Sequence, residues 1–478
     1  MVGIESRNGE VIVLGGGLAG LSAGHILAQA NRRVLVFEND SAVGGLAKTI
    51  VRGEFRFDLG GHRFFTKNEQ VERFVKDLLG EELIEVPRTS KICLRNKYFD
   101  YPLKPSNAIF GLGIPTTLEL LFNYGLERIK SRFRAVEIIS LEDWVVSQFG
   151  RAMFNIYFKE YSEKVWGIEC SQISAEWVAE RIQGLSLSTA IKNAFFKFNG
   201  KEIPTLADKF LYPSLGIGRI SDKLREAIDK SGHVLTATRI ERLYHSGSQI
   251  KSLAAKNGKG TYMVEGRDFI STIPMTALVE MLYPRAPKDV LTAASSLRYR
   301  DLIIVAIMLN REQATEQSWI YIPERKIALG RIHEPKNWSS RMAPADKTLL
   351  VAEHFCFKGD ETWCADDEQL AKNTVRQLEN LGFIKRGEVI DSAVIRVPKA
   401  YLLPEVGYGK HRNKILDYLS RFQNLHIIGR GGCFRYLNMD RAIENGLEAA
   451  ERIIKGENNI PAAKREKAVS LLCSRTGS

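Results

Sequence analysis

From Val11 to Gly20 the chain reads Val-Ile-Val-Leu-Gly-Gly-Gly-Leu-Ala-Gly, and this stretch constrains the fold more than any other. Four apolar residues end abruptly in glycine, and the glycines open an apolar, alanine-rich run from Leu21 to Ala30. That order predicts strand, tight turn, helix. Gly15, Gly17 and Gly20 fit G-x-G-x-x-G, with Leu18 and Ala19 inside the pattern. The first glycine makes the turn, the second admits a pyrophosphate to the backbone, and the third lets helix pack on strand. The helix N-terminus then faces the phosphate charge. Such turns also occur without nucleotides, so the neighbouring residues decide.

A second β run, Arg33 to Phe37, ends in Glu38 and Asn39. Glu38 lies about 20 residues beyond the glycines, where a carboxylate accepts from ribose hydroxyls. No Arg or Lys follows it directly, so a 2′-phosphate has no obvious host. Gly44-Gly45-Leu46-Ala47 comes next, and a third glycine turn follows at Asp58-Leu59-Gly60-Gly61-His62. A plain NAD domain has no use for the second glycine pair, whereas a flavin domain passes close to its longer ligand there. The three turns together predict FAD. No further G-x-G-x-x-G follows a strand, so a separate NAD domain is not expected.

The fold class expected is α/β. A Rossmann-type FAD-binding domain is assembled from 1–90, 203–275 and 415–456. A helical substrate-side insertion occupies 91–202, an antiparallel-sheet substrate domain 276–414, and a mobile tail 457–478. The 478 residues leave room for more than one domain. In the insertion, Thr116–Arg132, Leu141–Gly150, Ala152–Tyr161 and Ala175–Leu185 carry helical periodicity. The apolar run Leu120 to Phe122, near Arg128, Lys130, Arg132 and Arg134, reads as a helix buried on one side. A surface-lying membrane contact is the other reading. The strands of the substrate domain are expected at Leu302–Leu309, Trp319–Ile322, Ile327–Leu329, Leu349–His354 and Val389–Val397. Ile240 and Thr272, on strands of the second nucleotide piece, and Gly429, after the last strand, join the expected cofactor contacts.

Net charge is +12. Lys and Arg are dispersed, which suits an anionic small molecule better than a nucleic-acid groove. The six cysteines form no CxxC pair. They read as reduced thiols, with no metal site. Met1 to Arg7 does not read as a signal peptide, and no run of about 18 apolar residues predicts a spanning helix. The expected location is the cytoplasm, and the oligomeric state is left open.

Four segments carry a resemblance to UDP-galactopyranose mutase, within the wider class of amine oxidases, protoporphyrinogen oxidases and carotenoid desaturases. Gly60-Gly61-His62-Arg63-Phe64-Phe65-Thr66 is similar to the mutase loop Gly-x-His-Ile-Phe-His-Thr. Tyr161-Ser162-Glu163-Lys164-Val165-Trp166-Gly167 is similar to Tyr-Thr-Glu-Lys-Gln-Trp-Gly. Glu353-His354 matches part of Ile-Glu-His. The segment from Gly429-Arg430 to Tyr436-Leu437-Asn438-Met439-Asp440 resembles Gly-Arg-…-Tyr-Lys-Tyr-x-Asp-Met. The resemblance implies that His62, Arg430, Asn438, Met439 and Asp440 contact the cofactor. It implies catalytic roles for His62, Arg300, Arg430 and Tyr436, and substrate contacts for Trp166, Arg181, Tyr401 and Tyr436. Phe65, Asn438 and Leu185 depart from the pattern, which leaves Arg181 as the nearest replacement for a diphosphate-binding arginine. The flavin site looks kept and the substrate site altered.

The resemblance implies an FAD-dependent enzyme acting on a nucleotide-sugar or glycan precursor, by redox-neutral ring isomerisation through reduced flavin. The alternative is an oxidoreductase taking hydride from a small molecule. A flavin-free binding protein, like the prenyl-GTPase dissociation inhibitors, is disfavoured by the intact glycines.

Overall fold

The computed structural model describes residues 10–94, 97–101, 122, 124–125, 137–181 and 209–457, with only the backbone described at 179–181. The expected helix Thr116–Arg132, Leu185 and the tail beyond Glu457 lie wholly or almost wholly outside these residues.

Five strands form a parallel sheet in the order Leu425–Ile427, Asp268–Ser271, Val11–Leu14, Val34–Phe37, His233–Leu235. They come from three stretches far apart in the chain, 11–37, 233–271 and 425–427. Both faces are covered, which is why the interior strands Val11–Leu14 and Val34–Phe37 read as unbroken apolar runs. Val11, Val13, Val34 and Val36 pack beneath helices, with Leu21, Leu27, Leu224 and Ile443. Their alternates Ile12, Leu14, Leu35 and Phe37 face Ile240, Leu243, Ile250 and Leu253 of a β hairpin layer. The first helix, Leu18–Gln29, lies against the last, Met439–Ile454. A Cβ on Gly446 would collide with the Ala19 carbonyl oxygen.

A seven-stranded sheet stands beside it. Its order is Val389–Leu402, Tyr299–Leu309, Thr348–Cys356, Arg331–His333, Trp319–Tyr321, Ser90–Leu94, Lys97–Asp100. The expected antiparallel pairing holds except that Trp319–Tyr321 runs parallel to Ser90–Leu94. Two expectations need correction. The strands at 90–100 belong to this sheet, so the boundary drawn at 91 cuts across it. The strand expected at Ile327–Leu329 forms instead at Arg331–His333. The Lys164 ammonium donates to the carbonyls of Ile322, Glu324 and Leu329 at 2.7, 3.0 and 2.6 Å, and holds that stretch as a loop.

In the helical part, Ser140 and Asp143 form a capping box that starts Leu141–Phe149. A π-helical turn, Phe154–Lys159, then runs into Glu160–Trp166, so the helix extends beyond the expected Tyr161. Asp58 ties the nucleotide side together. Its carboxylate accepts from Thr49 Oγ1 and Tyr212 Oη, both at 2.6 Å, and from the Ile217 amide at 3.2 Å. Burial pushes its pKa up to about 6, against the pull of those donors.

Candidate active site

The glycine turn makes a cradle of backbone. Gly15 has φ of 104°, which a side chain resists. A Cβ there would also strike the Thr272 hydroxyl. That hydroxyl donates to the carbonyls of Leu14 at 3.0 Å and Gly15 at 3.2 Å, so Thr272 braces the turn. At Gly17 a Cβ would meet no atom of the chain within 4 Å. Gly17 is the N-cap of the first helix, which has no side-chain cap bond and no acid in its first turn. Its first amides are thus left to an external anion. A Cβ on Gly20 would collide with the Gly15 carbonyl.

The second glycine pair lies alongside. The Gly44 amide donates to the Gly16 carbonyl at 2.7 Å, and Gly17 and Gly44 form an isolated bridge. Gly45 is exposed, Leu46 packs on the Phe57–Leu59 cluster, and Ala47 is buried. Glu38 accepts from the Gly16 and Asp40 amides, each at 2.8 Å, so its carboxylate fixes the turn and keeps lone pairs for another donor. Asn39 beside it is exposed. The Thr238 amide donates to the Glu38 carbonyl at 2.9 Å. That contact starts the strand bearing Ile240, which is buried beside Leu35 and Phe37. These residues fit a dinucleotide pyrophosphate.

The short helix Gly429–Cys433 carries the cradle into a second cluster. A Cβ on Gly429 would sit 3.1 Å from that of Ala19. Arg430 Nη2 donates to the Ala400 carbonyl at 3.0 Å. Its guanidinium carbon lies 4.3 Å from the Tyr436 ring centroid and 5.4 Å from that of Tyr401. Trp166 meets Tyr401 edge-on, and Trp177 bridges Trp166 to Tyr436. Burial raises the Tyr401 phenol to about 12, so it stays a neutral donor. Arg331 Nη2 reaches Tyr401 Oη at 3.2 Å and Glu353 Oε2 at 2.6 Å. Glu353 is 0% exposed. Burial opposes the charge of Arg331, but Glu353 outweighs it and holds the pKa well above the usual arginine value.

His62 is brought to the same place by its glycines. Gly60 has φ of 131°, and a Cβ there would lie 3.3 Å from Glu353 Oε1. Burial, then Arg331 and Arg430, lower His62 to about 4. It is therefore a neutral imidazole at pH 7, and its Nδ1 is buried without a partner.

The cluster so unites His62, Trp166, Tyr401, Arg430 and Tyr436. Arg300 does not join it. Its Nε donates to the Val165 carbonyl at 3.1 Å and its Nη2 to the Phe355 carbonyl at 3.0 Å, beneath the Phe357 ring. It caps the end of Glu160–Trp166, because that helix leaves carbonyls to be satisfied. Asn438, Met439 and Asp440 start the last helix. Asn438 is exposed and makes no side-chain cap bond, while Asp440 Oδ1 is buried without a partner. The Arg181 side chain lies outside the described residues. Sequence reading missed Arg331 and Trp177. One signal existed for Arg331: Glu353 sits in the apolar strand Leu349 to Phe355, and a buried acid demands a cation.

A family model for "Flavin containing amine oxidoreductase" matches residues 18–454. The chain belongs to that family. FAD is its cofactor, and the chain is a flavoenzyme of that family. Among curated relatives, an inactive all-trans-retinol 13,14-reductase of Danio rerio is 47% identical over 53 residues, covering 11% of this chain and 9% of that protein. An L-amino-acid oxidase of Crotalus adamanteus is 31% identical over 111 residues, covering 20% of this chain and 22% of the oxidase. This chain thus aligns to less than a quarter of either relative's length. Among solved structures, reduced UDP-galactopyranose mutase superposes with a TM-score of 0.80 at 20% identity, over 94% of each chain. Putrescine oxidase bound to putrescine gives 0.64 at 16% identity, over 94% of this chain and 99% of the oxidase. Cyclohexylamine oxidase from Brevibacterium oxydans gives 0.65 at 12% identity, over 94% and 99%. These likenesses show a shared fold. No helix among the described residues is long and apolar enough to cross a membrane.

Proposed function

We propose that this flavoenzyme binds an anionic nucleotide-sugar and isomerises its ring without net oxidation, supplying a glycan precursor in the cytoplasm. The observation that carries this reading is the charge of the cluster. Glu353 neutralises Arg331, and Arg430 bears a charge that no carboxylate among the described residues pairs. A protonated amine about 4 Å from that guanidinium is disfavoured by about 4 kcal/mol at an effective dielectric of about 20, and a phosphate oxygen is favoured by a similar amount.

Bound in the cradle and reduced, FAD would supply the nucleophile for the anomeric carbon. The chain's own residues bind and orient. Arg430 holds diphosphate oxygens, and the Tyr401 and Tyr436 phenols border it. Trp166 and Trp177 wall the site against water. Neutral His62 offers a ring nitrogen that adds no charge.

Anaerobic incubation with a panel of nucleotide-sugars, with and without dithionite, tests this. A same-mass product formed only with reduced enzyme is the expected result. No isomer, with flavin bleaching by an amine or another reductant in the oxidised enzyme, would make it an oxidoreductase. Arg430→Gln is expected to raise the UDP dissociation constant about tenfold, or about 1.4 kcal/mol, by calorimetry.

A further inference from the structure

The sheet face beneath the Gly60–Phe64 loop holds more polar atoms than it pairs. Trp319 stands opposite His333 on one side and Ser90 on the other, and Tyr321 stands opposite Arg331. Strand alternation therefore sets Ser90, Trp319, Tyr321, Arg331 and His333 on one face. Ser90 Oγ, Trp319 Nε1 and His333 Nδ1 are each buried with no hydrogen-bond partner, as is His62 Nδ1 in the loop above. Each such atom costs about 1–3 kcal/mol, and folded proteins keep few of them. The indole N–H can only donate, so what it lacks is an acceptor.

Two arginines converge on the same ring. The Arg63 guanidinium carbon lies 5.3 Å from the Trp319 centroid and that of Arg88 lies 5.7 Å away. Both cations act on the Tyr321 phenol beside it. Arg331 on this face is matched by Glu353 at 2.6 Å, whereas Arg63 forms no ion pair among the described residues. Arg63 is half-buried, so it is held in place yet reachable. Isoleucine stands here in the mutase loop quoted above, so the charge is an addition to that pattern.

We propose that Arg63, with the donors Trp319 Nε1 and Ser90 Oγ, forms a second anion subsite, and that the substrate carries an acidic group beyond the diphosphate held at Arg430. This rests on the nucleotide-sugar reading. The shared chemistry is an oxyanion, either a sugar carboxylate or a sugar phosphate.

Calorimetry on the FAD-loaded enzyme and on Arg63→Gln tests it, with UDP, UDP-galactose, UDP-galacturonate, free galacturonate and galactose 6-phosphate as probes. The wild type is expected to prefer UDP-galacturonate over UDP-galactose by about tenfold, and Arg63→Gln to narrow this to about twofold. Arg63→Lys, which keeps the charge, should retain part of the preference. If galactose 6-phosphate shows the Arg63 dependence and galacturonate does not, the acidic group is a phosphate. No Arg63 dependence with any acidic probe overturns the subsite, even if UDP binds. Arg63-dependent binding of the free acids without UDP binding upholds the subsite and overturns the nucleotide reading.

Discussion

At Gly17 an added Cβ would meet no atom of the protein within 4 Å, whereas Glu353, 0% exposed, is pinned to a guanidinium from the neighbouring strand. The two regions are built in opposite ways. The parallel-sheet end presents backbone amides and positive-φ glycines, and leaves open space where a side chain on Gly17 would stand. The large-sheet face uses side chains from five separated segments, represented by His62, Trp166, Arg331, Tyr401 and Arg430. A backbone site fails when a side chain is added. A side-chain site fails when a partner is removed, because the remaining charge is left buried.

Gly17→Glu gives the largest contrast. Gly17 has φ of −77°, so the backbone tolerates a side chain, and the protein should fold. A carboxylate aimed at the pyrophosphate should abolish FAD binding. Retained circular dichroism with a colourless protein is the expected result, and a yellow, stoichiometrically loaded variant would break the comparison.

Glu353→Gln should act on stability instead. Breaking the buried pair with Arg331 is expected to cost about 3–5 kcal/mol in urea denaturation. The double variant Glu353→Leu with Arg331→Met should recover much of that loss, since no buried charge remains unpaired.

Asp58 sharpens the comparison from within the nucleotide side. Its folded pKa, about 6, lies above the ordinary aspartate value of 3.8. The stabilisation is therefore complete below pH 4 and is lost as pH rises through about 6. The loss amounts to roughly 3 kcal/mol at about 1.4 kcal/mol per unit. Asp58→Asn should flatten this part of the pH–stability profile. An unchanged slope between pH 4 and 7 would remove Asp58 as its source.

The parallel sheet was legible because its signals are local. Val11 to Gly20 states strand, turn and helix within ten residues, and Glu38 and Gly44-Gly45 follow at short range. The later pieces were legible for the same reason: Phe269, Ile270, Leu425 and Ile427 are apolar residues in short segments that the sheet buries. The loop around His62 was also marked by its own glycines.

Arg300 shows where that reading stops. An arginine that caps helix carbonyls and one that awaits a phosphate look alike in one dimension. Only packing against Val165 and Phe355 separates them. The displacement of a strand to Arg331–His333 depended on Lys164, more than 150 residues earlier in the chain. That register in turn set Arg331 against Glu353, 22 residues on, and beneath Tyr401, 70 residues on. The glycine turn and the strands around it are written in neighbouring residues, since turn geometry and strand burial are local properties. Which arginine of the cluster meets a carboxylate could emerge only from the assembled fold, because pairing a buried cation depends on strands that meet only when the sheet closes.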